Sequence, residues 1–239
     1  MPSGIEGLDE LLGGGFERNS TVLVMGGTGT GKTTMLLQFL YNGAVNRKEP
    51  GLFLSFEEPK DAINKHFEAY GWDFEKLEEE NMFLTVSYKP HEVKKLVDEG
   101  GGLIFDSIKS IDAKRIAIDS LTSYSMLFES AYQAREAQIS LFEMVRKWSI
   151  TAMFSGEEIR AAPLRTSAGM EYIPDVIIAL HHPRQGGVRI HALEVLKIRG
   201  STHSQKLSPF EFVSGVGMKV YPGQGIFTEL GKDEEEKEG

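Results

Sequence analysis

Six short apolar runs recur along the chain: Ser20–Met25, Gly51–Phe56, Met82–Val86, Arg115–Ile118, Thr151–Phe154 and Val176–Leu180. Each is bounded and rich in β-branched or aromatic residues. Their apolar character is continuous rather than alternating, which predicts strands covered on both faces. The segments between them carry helical spacing. Thr33–Val45 holds Leu36, Leu37, Phe39 and Leu40, with Ala44 further along the same general face. A second helix is expected from Pro59, a residue suited to a first helical position, to Tyr70, with Gly71 placed to end it. Ala131–Lys147 sets Ile139, Phe142, Met144 and Val145 among charged positions. This alternation predicts an α/β fold with a mainly parallel central sheet flanked by helices.

Beyond residue 180 the pattern changes. Val176–Leu180 and Val188–Ile198 flank His181–Gly187, whose Pro and paired Gly signal a turn. Phe210–Val213 and Met218–Tyr221 follow, separated by Ser214–Gly217. These segments predict a C-terminal antiparallel β-hairpin extension of the same sheet. No repeat or Pro/Gly/Ser-rich linker divides the chain, so one domain is expected over residues 1–239, with Lys232–Gly239 as a charged, frayed tail.

Composition narrows the functional classes. Hydrophobic residues make up 41% of the 239 residues and charged residues 26%, enough for a sizeable core. The balance of 26 basic against 35 acidic residues, net −9, weighs against a nucleic-acid coat, which needs a basic surface. The absence of cysteine excludes disulfides, thiolate metal sites and cysteine catalysis. No apolar stretch is long enough for a membrane span, and Met1–Leu12 is acidic and unlike a signal peptide. A soluble, cytoplasmic protein without membrane partners is expected.

The strongest chemical signal is Gly26-Gly27-Thr28-Gly29-Thr30-Gly31-Lys32-Thr33, which matches G-x-x-x-x-G-K-[ST] in full. Glycines let successive backbone N–H groups turn inward around phosphates, where a Cβ would obstruct them. Lys32 is a mobile point charge for the β- and γ-phosphates. The Thr33 hydroxyl is a ligand for Mg²⁺ at the start of a helix whose dipole favours anions. Thr34, next in the chain, joins the candidate nucleotide contacts. The motif follows an apolar strand and opens a helix, as this mechanism demands.

Carboxylates complete the candidate site. Asp119 ends an apolar run 87 residues after Lys32 and is the expected Mg²⁺-side acid, with a helix N-cap as its alternative role. Glu57 and Glu58 close the run Leu52–Phe56. Side chains alternate along a strand, so the two should point differently, one toward the γ-phosphate. Lys197 and Arg199, two apart on a strand, should share a face where two cations could meet a polyphosphate. The alternative is an edge strand protected by charge.

Several segments together resemble the KaiC-like branch of the RecA superfamily: Gly4–Asp9, the loop Gly26–Thr33, Gln38–Gly43, Ser55–Glu58, Gly71–Asp73, Ile118–Ser120 and Leu196–His203. The resemblance runs from residue 2 to about 221. It implies a RecA-like P-loop core that binds ATP and Mg²⁺ at the interfaces of a ring-shaped homo-oligomer, commonly a hexamer. It also implies Glu57 as the water-activating base, Glu58 as its partner acid, and Thr33 and Asp119 on the Mg²⁺ side. Lys197, Arg199 and His203 would reach the nucleotide of the adjacent subunit. Clock-type members carry two such domains, so autokinase activity is not carried over to Thr166 or Ser167.

Two other functions stay open at this level. One is a DNA-dependent recombination ATPase, for which Arg160, Arg165 and Arg184 are the nearby cations. The other is a slow nucleotide switch acting through a protein partner. His181 and His182 have no carboxylate or histidine at ligand spacing nearby and are expected to have a surface or hairpin role rather than to bind a metal. Trp72, Trp148, Met25, Met35 and Met126 are expected to pack.

Overall fold

The computed structural model describes residues 1–89, 91, 92, 95, 97, 99–157, 172–185 and 188–224. A short helix α1 (Leu8–Leu11) precedes β1 (Thr21–Gly26), α2 (Lys32–Arg47) and β2 (Gly51–Ser55). Then come α3 (Lys60–Phe67), α4 (Phe74–Glu79), β3 (Phe83–Ser87), α5 (Gly102–Ser110), β4 (Arg115–Asp119), α6 (Leu121–Ser125) and α7 (Ala131–Lys147). The remainder is β5 (Thr151–Gly156), β6 (Val176–His181), β7 (Arg184–Gln185), β8 (Val188–Arg189), β9 (His191–Ile198), β10 (Ser208–Val213) and β11 (Gly217–Val220).

Nine strands form one sheet in the order β11-β10-β9-β6-β1-β5-β4-β2-β3. From β6 to β3 every pairing is parallel, while β6–β9, β9–β10 and β10–β11 are antiparallel. The continuous apolar runs have the expected cause. Val22 and Val24 enter one core layer with α1, α2, Trp72 and α4. Leu23 and Met25 enter the other with α5, α6 and α7. Both faces are covered, so neither could be polar.

Several local expectations shift. Pro59 occupies the cap before α3, with an extended ψ of 154°, and its carbonyl accepts from Ala62 N at 3.1 Å. The helix tightens into a 3₁₀ turn at Glu68–Tyr70, and Gly71 ends it with a φ of 71°. The expected strand Val188–Ile198 is broken at Ile190, whose N–H turns back to the Pro183 carbonyl, and β8 pairs with β7 in a separate ribbon. Met126 does not pack: it is 81% exposed after α6. Met25, Met35 and Trp72 are buried, and Trp148 is half-buried. Lys232–Gly239, Thr166, Ser167, Arg160 and Arg165 lie outside the described residues, and Arg184 is exposed on β7.

One buried polar anchor was not foreseen. Arg115 has no exposed side-chain surface; it donates to Glu49 Oε2 from Nε at 2.9 Å and to the Phe39 carbonyl at 2.9 Å. Gly43 is required beside it, because a Cβ there would lie 2.4 Å from Arg115 Nε. Burial lowers the Arg115 pKa, and Glu49 opposes that shift.

Candidate nucleotide site

The carboxyl ends of the parallel strands converge on the loop between β1 and α2, the usual ligand position in open α/β sheets. The loop is held from within: Thr30 is buried and its Oγ1 donates to the Gly27 carbonyl at 2.8 Å. Gly31, at φ 95°, admits no side chain, since a Cβ would lie 2.3 Å from the Phe212 ring on β10. Lys32 curls over the loop and donates to the carbonyls of Gly26 at 2.9 Å and Gly27 at 3.0 Å. Thr34 is half-buried in the first turn of α2.

Strand register delivers the acids. Ser55 ends β2 opposite Asp119 at the end of β4, and Phe56 N donates to the Asp119 carbonyl at 2.7 Å. Asp119 accepts from Thr33 Oγ1 at 2.6 Å and, on its other oxygen, from Ser155 Oγ at the end of β5. The two candidate Mg²⁺-side residues are therefore in direct contact. Asp119 does not cap α6; the Ser120 hydroxyl does, accepting from Ser123 N.

Glu57 and Glu58 diverge, but both lie past the end of β2 at Ser55, so the bend there and not strand alternation separates them. Glu57 Oε1 accepts from Ser120 Oγ and Ser123 Oγ, each at 2.5 Å, beside Asp119. Glu58 faces α3, with Oε2 3.3 Å from His66 Nδ1. The turn between them is fixed by Ser55, whose hydroxyl donates to the Glu58 carbonyl at 2.7 Å.

Electrostatics at the loop are unbalanced. Burial pushes the Lys32 ammonium below its usual range, against the pull of Glu157, Asp119 and Glu57. Burial raises the Asp119 carboxyl; hydrogen bonds from Ser155 and Thr33 oppose the rise, and the charge of Glu57 adds to it. Three carboxylates thus pull on one partly desolvated ammonium. An alcohol beside a buried carboxylate is a hard oxygen donor set that fits Mg²⁺, which takes few protein ligands and completes its shell with water and phosphate. Among the described residues, no group of three or more His, Cys, Asp or Glu side chains could hold a metal ion by itself.

Lys197 and Arg199 also come together, but elsewhere. Lys197 Nζ donates to the Pro174 carbonyl at 2.8 Å, and Arg199 NH2 to the Tyr172 carbonyl at 2.9 Å. Arg199 NH1 lies 3.3 Å from Asp175 Oδ1. Lys197 is on β9 and Arg199 follows just past its end. β10 covers β9 only at His191–Leu193, so among the described residues the Lys197 end of β9 has no strand paired on its outer side, as the charged-edge alternative has it. Lys197 is level with Ile177 and hence with Leu23, whereas the loop leaves β1 level with Leu180. The two cations therefore sit roughly 10 Å or more down the strands from their own phosphate loop. His203 follows in a segment laid against α1, where Ser204 N donates to the Leu11 carbonyl at 3.0 Å.

The sequence of the family described as "ATPase: KaiC" matches residues 1–225 of the chain. The chain belongs to the KaiC ATPase family. Within the RecA superfamily it is similar to the circadian clock oscillator protein KaiC of Prochlorococcus marinus subsp. pastoris, 32% identical over 217 residues. That match covers 88% of this chain but only 43% of the clock protein, so the chain spans less than half the length of such relatives. The UPF0273 protein MJ1359 of Methanocaldococcus jannaschii is 32% identical, with 93% of this chain and 96% of that protein covered. The crystal structure of a KaiC-like protein, PH0186, from Pyrococcus horikoshii OT3 superposes with a TM-score of 0.82 at 35% identity, covering 93% of this chain and 98% of that one. This KaiC-family chain has no helix, among its described residues, long and apolar enough to cross a membrane.

Sequence reading missed Ser55, Ser120, Ser123, Ser155, Thr122 and Glu157. A signal was present: β2, β4 and β5 are apolar runs that each end in a polar residue, Ser55, Asp119 and Ser155–Gly156, at the end where the loop lies. His181 and His182 also gain partners unseen in the sequence. His181 Nε2 is 2.8 Å from Glu194 Oε1, and the His182 ring stacks on His191 at 4.1 Å.

Proposed function

We propose that this protein is a Mg²⁺-dependent ATPase that hydrolyses ATP at interfaces between its own copies in a ring. The observation that carries the reading is the joining of Lys32, Thr33 and Asp119 at one glycine-rich loop, with Thr33 Oγ1 2.6 Å from Asp119 Oδ2. Gly26 to Thr33 would wrap the phosphates with backbone N–H groups, and Lys32 would exchange its loop carbonyls for the β- and γ-phosphate oxygens. Bound Mg²⁺ would neutralise phosphate charge beside Thr33 and Asp119. Glu57, held by Ser120 and Ser123, is the base proposed to orient and deprotonate the attacking water. Glu58, turned toward His66, has the lesser role of partner acid.

The separation of Lys197 and Arg199 from their own loop supports a role in trans, where they and His203 would meet the phosphates of an adjacent copy, in a hexamer by family likeness. Substitution of Lys32 by Ala should abolish ATP binding, measured by titration calorimetry, with an unchanged circular dichroism spectrum. ATP binding as tight as in the parent overturns the phosphate-loop reading. Light scattering with and without ATP tests the ring, and a monomer in every condition overturns it.

A further inference from the structure

Glu157 lies at the mouth of the phosphate loop and has no part in the chemistry proposed above. It follows Gly156, which pairs with Met25 in the register of β5 on β1, so it stands next to the start of the loop. Its backbone N–H donates to Thr122 Oγ1 at 2.8 Å, which fixes its position. Its carboxylate Oε1 accepts from Thr28 Oγ1, a loop side chain, at 3.4 Å. Among the anions acting on the Lys32 ammonium, Glu157 ranks ahead of Asp119 and Glu57. Asp119 is tied up by two hydroxyls and Glu57 by two more, whereas Glu157 is exposed and, among the described residues, its carboxylate accepts the long bond from Thr28.

A terminal phosphate drawn to Lys32 must share that ammonium with the Glu157 carboxylate. Lys32 serves both the β- and γ-phosphates, but the α- and β-phosphates are also held by backbone N–H groups of the loop and the start of α2, so the γ-phosphate leans most on the lysine. The penalty therefore falls on the longer polyphosphate. We propose that Glu157 is a specificity-determining residue, whose carboxylate competes with the terminal phosphate for Lys32 and weakens triphosphate binding relative to diphosphate. The inference rests on the nucleotide-binding reading and adds to it the element that sets the preference.

The test is the ratio of affinities for a non-hydrolysable ATP analogue and for ADP, both with Mg²⁺, in the parent, Glu157→Gln and Glu157→Asp. Removing one like charge from beside the terminal phosphate, in a solvated site, should shift the ratio about five-fold toward the triphosphate in Glu157→Gln. The shift should shrink as salt rises, and Glu157→Asp, which keeps the charge, should retain the parent ratio. An unchanged ratio in Glu157→Gln overturns the proposal, as does a selective loss of triphosphate binding. Lost turnover with an unchanged ratio also overturns it, by making Glu157 part of the chemistry. A parent that binds neither nucleotide would overturn the phosphate-loop reading itself, a different result from any of these.

Discussion

Asp119 and Asp175 occupy opposite ends of the same sheet and are stabilised in opposite ways. Asp119, at the carboxyl ends of β2, β4 and β5, is 8% exposed and receives hydroxyl donors from Thr33 and Ser155. Burial dominates there and pushes its carboxyl up. Asp175, just before β6, is also pushed up by burial. The Thr21 amide at 2.9 Å and hydroxyl at 2.7 Å, with Arg146 and Arg199, outweigh that effect and hold it below the usual range. One carboxylate is left short of positive charge and the other is fully supplied. A buried acid that its own chain does not neutralise is a place for a cation, whereas a neutralised one is part of the framework. Arg115 with Glu49 belongs to the same framework end, at the start of β4.

Arg199 is the residue that could break this division, because it serves Asp175 in its own chain and is proposed to serve a nucleotide in another. The largest effect is therefore expected from Arg199→Ala, with turnover falling about 10³–10⁵-fold. Lys32→Ala should also be inactive, and a mixture of the two should recover part of the activity, since some interfaces would pair an intact loop with an intact cation. Steady-state ATPase assays read the recovery, and native mass spectrometry of the mixture reports exchange of subunits. Exchange without recovery would confine Arg199 to the framework.

Glu57→Gln sharpens the other end of the comparison. ATP should still bind while turnover falls roughly 10²–10⁴-fold, because the amide keeps the shape but loses the basic oxygen. Glu58→Gln should cost less, since its carboxylate faces His66. A greater loss from Glu58→Gln would reverse the two roles.

Glu49→Leu probes the framework alone. It leaves the Arg115 guanidinium buried without its partner and should cost about 3–5 kcal/mol, read from urea midpoints. Affinity for ATP at saturating folded protein should stay as in the parent. Coupled loss of affinity would mean that the two ends are not independent.

The smallest effect concerns pH. Burial, then the neighbouring His182, lowers the His191 pKa, and a hydrogen bond with the Gly29 backbone opposes the shift. The unfolded chain then binds a proton that the native state refuses. Stability contributed by neutral His191 is complete above about pH 6.5 and is lost as pH falls toward the lower native value. Urea midpoints between pH 7.5 and 5.5 should therefore fall less in His191→Gln than in the parent. Equal slopes would remove His191 from the account. Asp175 has the depressed-acid sign: its contribution is present above about pH 3.9 and is lost as pH drops through its native value.

The sequence by itself determined the parallel strands, the helices α2 and α7 and the phosphate loop. The reason is local: doubly covered strands must be apolar throughout, and glycines with a lysine and threonine at fixed spacing carry their chemistry in consecutive backbone groups. Thr33 and Asp119 were legible because one opens the helix after the phosphate loop and the other ends an apolar strand. Only the tertiary structure decided what strand order and direction bring together. Antiparallel pairing of β9 with β6 carries Lys197 and Arg199 to the far end of the sheet, although the chain alone allowed them to meet any polyphosphate. Register beside β1 brings Glu157 to Thr28, 129 positions away, and pairing across the hairpin gives His181 its Glu194. Arg115 was legible only as the first residue of an apolar run; its path past Gly43 to Glu49 was not. Such contacts depend on which strands become neighbours, and that is settled by burial summed over both faces of the sheet rather than by any local motif.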